Sequence, residues 1–147
     1  MNKNKIFLVI NCGNDNEYNA ALELDKVITK NGFGWFAKYG KPINFSKLYL
    51  DNPDDEIVLC LSIFINDKHR IYPYSIMETS ETFKGPKGSH PEYYKQKIDN
   101  IKTWIKVKKY TEEKINCEDL VVKSSLKKLS ESIRKSMSGY ILCKLLS

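Results

Sequence analysis

The chain has no run of about eighteen apolar residues, the length a membrane-spanning helix needs. The apolar stretch behind the first lysines, Ile6 to Ile10, is too short for a signal peptide. Asn11 follows it where a small-residue cleavage site is expected, so the stretch reads as a first β-strand. Paired cysteines are missing as well. Cys12, Cys60, Cys117 and Cys143 lie far apart, with no CxxC and no histidine at zinc spacing. They are expected to be reduced, mostly buried thiols of a cytoplasmic protein without a metal site. Histidine is scarce. His69 falls in a predicted turn and His90 precedes Pro91, and neither belongs to a nucleophile or metal pattern. GxSxG is absent too, and the acidic run Asp54-Asp55-Glu56 reads as plain surface. No catalytic residues and no cofactor are therefore expected. Repeats and low-complexity segments are also lacking.

What is present is a foldable chain of 147 residues, 41% of them apolar, enough for a single domain over 1–147 with its own core. The formal charge is +6 and is lopsided. Residues 1–66 hold 7 Lys/Arg against 8 Asp/Glu, whereas 67–147 hold 17 against 10. A one-sided basic surface attracts polyanions such as DNA or RNA. The plainer alternative is solvated surface lysine.

Strands are predicted at Lys5 to Cys12, Gly34 to Tyr39 and Glu56 to Asn66, the last apolar on both faces as a central strand would be. Arg70 to Met77 returns as a hairpin, with Pro73 marking an edge or a bulge. Lys102 to Tyr110 alternates, with Trp104, Lys106, Lys108 and Tyr110 on one side and Thr103, Ile105 and Val107 on the other. Tyr140 to Leu146 closes the chain as a strand. A helix from about Asn16 to Lys30 carries the stripe Ala20, Leu24, Val27 and Ile28 and stops at Asn31-Gly32. A second, from about Leu126 to Met137, is capped by Ser124 or Ser125 and buries Leu126, Leu129, Ile133 and Met137. Asn44 to Leu50 is ambiguous, and Pro91 to Gln96 can begin a helical turn. Five or six strands without regular helix alternation predict an α+β domain around a curved sheet or small barrel.

Two constellations bear on binding. Gly85-Pro86-Lys87-Gly88 has the GxxG form of a backbone-clamping loop, but a strand precedes it, so it reads as a hairpin or lid loop whose Lys84 and Lys87 can touch phosphates. The aromatics are the second. Trp35, Phe36 and Tyr39 share a segment, Tyr72 and Tyr74 share a strand face, and Trp104 is followed on its own face by Lys106 and Lys108. Rings interleaved with lysines suit base stacking and phosphate contact. The competing expectation is that most of these rings are core.

The segments GWFAKYGKP (Gly34 to Pro42), RIYPYSIMETS (Arg70 to Ser80), HPEYY (His90 to Tyr94) and KTWIKV (Lys102 to Val107) resemble the PUA-like superfamily, and within it the EVE and YTH-related branch. SSLKKLSESIRKSMS followed by YILCK fits the same order. The likeness spans about Gly34 to Lys144. It implies a small twisted β-barrel with flanking helices that holds a modified nucleobase, without catalysis, in an aromatic pocket. The cage would be Trp35, Tyr74 and Trp104 with Tyr39, and Ser62, Tyr72 and Thr79 would hydrogen-bond the base. Lys38, Lys84, Lys87, Lys106, Lys108 and Arg134 would contact phosphates. Unlike family members, the opening strand carries no Trp or Tyr. The expected partner is thus DNA, RNA or a modified nucleotide. The alternatives are a nuclease and a protein-interaction or inhibitor module with a basic face.

Overall fold

A computed structural model describes residues 4–14, 20–38, 41–91, 101–111, 114–133 and 139–146. Its centre is one mixed sheet of seven strands: β1 (Asn4–Asn14), β2 (Gly34–Lys38), β3 (Asp55–Ile65), β4 (Lys68–Ser80), β5 (Thr103–Lys109), β6 (Leu120–Val122) and β7 (Ile141–Leu145). They lie in the order β2-β5-β4-β3-β1-β7-β6. The protein is therefore α+β, as its pattern predicts. The sheet is open, ending at β2 and β6 instead of closing into a barrel.

The central place of β3 follows from its composition. Ile57 to Ile63 are buried on both faces, which a strand achieves only with neighbours and covering layers on each side. β3 pairs in parallel with β1 (Leu8 opposite Leu59) and antiparallel with β4 (Leu59 opposite Tyr74). Helix α1 (Ala20–Asn31) lays Ala20, Ala21, Leu24 and Ile28 on one face, against Leu8, Leu59, Leu61, Ile105 and Val107. It ends at Gly32, whose N–H bonds Ile28 O at 2.7 Å with φ at +83°, a conformation that favours glycine. The opposite face of β1 and β3 presents Phe7, Val9, Val58 and Cys60. A 3-10 turn at Cys117–Asp119 and α3 (Leu129–Ser132) cover these with Cys117, Leu120, Leu129 and Ile133.

Several expectations change. Asn44 to Leu50, ambiguous in sequence, supplies α2 (Phe45–Asp51), capped by Asn44 Oδ1 accepting from Lys47 N at 3.0 Å. Pro73 does not put β4 on an edge, because β4 lies between β3 and β5. Pairing with β5 starts only at Tyr74, so Pro73 faces β3 alone. The irregularity falls instead between Ile76 and Glu78, where Met77 is the extra residue. The helix expected from Leu126 begins only at α3, and 134–137 of the expected span lie outside the described residues. Its N-cap is Lys128, not Ser124 or Ser125, and Leu126 is exposed at a φ of +61°. The stretch before it turns back as β6, which the sequence reading missed. Met137, and nearly all of the helical turn expected from Pro91 to Gln96, lie outside the described residues.

Candidate functional site

The alternation expected for β5 holds and divides the predicted cage. Trp35 on β2 and Trp104 on β5 project from the same face, since Trp35 lies opposite Lys106 and Ala37 opposite Trp104. They pack with Ala37 and Ile101, and Phe33 and Phe83 close around them. Tyr74 points to the other face, into the core under α1, where its hydroxyl donates to Asp25 Oδ1 at 2.8 Å. All three rings are buried, at 2% exposure for Trp35 and Tyr74 and 0% for Trp104. The cage of Trp35, Tyr74 and Trp104 is thus not formed as one cavity. Two of its members meet, and the third stands across the sheet. Tyr39 lies outside the described residues.

The loop from Glu81 to Pro91 covers the tryptophans. Phe83 sits among them, its ring centroid 5.0 Å from Trp104, 4.7 Å from His90 and 6.1 Å from Trp35. Two of these contacts are edge-to-face, at 86° with Trp35 and 83° with His90, a geometry aromatic rings favour. Trp35 N donates to Ser89 O at 2.8 Å, and Asn31 Nδ2 donates to Gly88 O at 3.2 Å, which fastens the loop. Gly85 lies so close that a Cβ there would stand 2.4 Å from Trp35 Nε1 and from Ser89 Oγ. Only a residue without a side chain passes. Despite this close cover, Trp35 Nε1 is buried and has no hydrogen-bond partner among the described residues. Leaving such a donor unpaired costs about 1–3 kcal/mol.

Beside this cluster runs a groove of about 630 Å³. One wall is the end of β4 and the start of the loop, with Thr79, Thr82 and Lys84. The other is the entry to α2, with Phe45 and Ser46, and Lys102 leads into the floor. Ile43 N donates to Thr103 Oγ1 at 3.1 Å and so joins the second wall to β5. Groove and cluster share one backbone: Thr82 and Lys84 line the groove, and Phe83 between them turns into the rings. Lys84 and Lys102 are exposed cations, Glu81 is the groove's carboxylate, and hydroxyls fill much of the remainder. Donors and cations along an open trough suit an anionic chain. Phe45 is half-buried, its ring 6.2 Å from Tyr49.

Other expected site residues lie elsewhere. Ser62 is fully buried, its Oγ 3.5 Å from His69 Nδ1, away from both groove and tryptophans. Tyr72 is half-buried at the walls of two smaller hollows near the β4 start and Lys109. Lys38 is not a surface phosphate contact. It is buried at the end of β2, its amine donating to Lys41 O at 2.7 Å, and burial lowers its pKa. Lys106 lies over the Phe33 ring at 4.5 Å, while Lys108 and Lys87 are exposed. Arg134 is outside the described residues. Thr79 and Lys84 are the expected residues that reach the groove. Phe45, Ser46, Lys102 and Phe83 were missed. For the first two, the Asn44 cap in front of an apolar residue was the available signal.

The four cysteines are free thiols. Among the described residues, no three His, Cys, Asp or Glu side chains gather as a metal site would require, and no helix is long and apolar enough to cross a membrane. The chain matches no protein-family model, no curated protein and no solved structure.

Proposed function

We propose that this protein is a non-catalytic nucleic-acid-binding module, in which the groove between α2 and the end of β4 carries a single strand past the Trp35–Trp104 cluster. The supporting observation is that cations, hydroxyls and buried aromatic rings border one another through a single short segment, Thr82-Phe83-Lys84. Lys84 and Lys102 hold phosphates, Thr79, Ser46 and Thr82 supply polar contacts, and Phe45 offers a ring face to a base. A nucleobase, modified or not, is received at the tryptophans. Stacking of about 1–3 kcal/mol per base compensates for extracting a base from its neighbours, which costs a few kcal/mol.

The resemblance to the PUA-like superfamily and its EVE/YTH-related branch belongs to this proposal and agrees with a base-reading role. Because the sheet is open, the proposal puts the base at a loop-covered sheet face instead of a barrel mouth.

The test is fluorescence anisotropy with labelled single-stranded DNA and RNA of mixed sequence over a range of salt concentrations. Binding that weakens with salt, and that is lost in a Lys84→Ala/Lys102→Ala double variant, supports the module. Salt-insensitive binding, or none, removes it.

A further inference from the structure

We infer that the segment from Glu81 to Pro91 is a lid on the base site, and that Phe83 occupies the ligand's position until the lid opens. The inference rests on the nucleic-acid-binding proposal and concerns the control of that site.

Phe83 makes the contacts a planar ligand would make. It presents a ring to Trp104 at 5.0 Å and meets Trp35 and His90 edge-to-face, on a face otherwise closed by Ala37 and Ile101. It is half-buried and comes from a loop, whereas the rings it touches on β2 and β5 are fixed by strand pairing. Removing Phe83 therefore vacates a ring-sized slot without disturbing the sheet.

The unpaired donor identifies what enters. Trp35 Nε1 lies under Gly85, and no group of the closed lid accepts its hydrogen; the neighbouring Ser89 hydroxyl instead donates to Pro86 O at 2.6 Å. A flat heterocycle with a carbonyl oxygen or ring nitrogen on its edge would take the place of Phe83, tilted against Trp104 and edge-on to Trp35, and also accept this hydrogen, which a phenyl ring cannot do in its plane. Closure is therefore imperfect by one hydrogen bond, and the ligand completes it. The neighbouring residues of the lid, Thr82 and Lys84, line the groove, so a strand lying there bears directly on the segment that must move.

The experiment compares the full chain with Phe83→Ala and with Gly85→Ala. In the second, the added Cβ must push the lid off Trp35 while Phe83 remains. Acrylamide quenching of tryptophan fluorescence and exchange of the Trp35 indole proton report opening without any ligand. Anisotropy with mixed-sequence single-stranded DNA and RNA reports binding. Both variants are expected to expose Trp35 and to bind roughly 10-fold more tightly, because the competent state no longer has to be populated first. Rings that stay protected in both variants overturn the lid, as does binding that ignores an exposed Trp35. If the rings become exposed and neither oligonucleotide binds to any form, the nucleic-acid proposal fails, and the ligand assignment fails with it. Gly85→Ala keeps the test open should Phe83→Ala misfold.

Discussion

Tyr74 donates its hydroxyl hydrogen to Asp25 Oδ1 at 2.8 Å, tying the middle of β4 to α1 on the sheet face opposite the two tryptophans. The same hydroxyl lies 3.3 Å from Ala21 O. Burial and the Asp25 carboxylate both push the Tyr74 pKa up, so the donor stays protonated. Tyr74→Phe is expected to destabilise the fold by about 1–2 kcal/mol, since the partner is charged but partly solvated. Urea unfolding checks this. Oligonucleotide affinity should not change, because the ring is on the far side of the sheet from the groove. A loss of affinity with stability intact would place Tyr74 in the site after all.

Lys84 and Lys102 are exposed along the groove, and in the proposed function they act through charge. Lys84→Ala or Lys102→Ala should weaken single-strand binding about equally for all sequences. Each should also flatten the plot of log affinity against log salt by about 0.7. A salt titration of each variant measures the slope, and an unchanged slope would take that lysine out of the contact.

Trp104 and Phe45 differ in how far a substitution can report on binding alone. Trp104→Ala removes a fully buried ring and should cost about 3–5 kcal/mol of stability, so lost binding in that variant says nothing about contact. Phe45 is half-buried at the groove wall. Phe45→Ala should leave the fold largely intact and forfeit one stacking contact of about 1–3 kcal/mol. Paired thermal melts and anisotropy titrations distinguish the two.

Burial pushes the Cys117 thiol up to about 11 and the Cys143 thiol to about 12, the latter also raised by Cys117 beside it. Cys60 is raised further by burial and by Cys143, and Cys12 reaches about 12 by burial. The folded chain thus keeps protons that unfolded thiols release near pH 8.5. Stability should be at its full value below that pH and fall as pH rises through 11 to 12. Urea midpoints across this range test the sign. At neutral pH, the buried Cys60, Cys117 and Cys143 should react with a disulfide reagent only once urea unfolds the chain. Rapid labelling of the folded protein at more than Cys12 would contradict this.

Period and composition exposed the strands well: β3, apolar on both faces, and β5, which alternates, each bind every residue to one environment. Pairing order was not visible, because β2 and β5 lie far apart in sequence and nothing local states that Trp35 sits opposite Lys106. The start of α3 was placed too early, since the serine-rich stretch before it resembles a cap and a first turn, whereas Leu126 takes a positive φ and the helix begins at Leu129. The three cage rings show the limit for the site. All three are buried rings, but which face a ring takes depends on register, and register put Tyr74 under α1. Phe83 escaped notice because it stands alone in a polar loop, where only its tertiary neighbours give it meaning.

The position of β2 at the end of the sheet has a consequence for how the molecule assembles. Its strand partner is β5, made only after β3, β4 and the covering loop have followed it. A nascent chain therefore displays Trp35 and Phe36 with no ladder to join until Thr103 to Lys109 emerge, and closure must span that whole interval. Refolding should be slow and strongly cooperative, and fragments that stop short of Thr103 should be prone to self-association through the waiting strand.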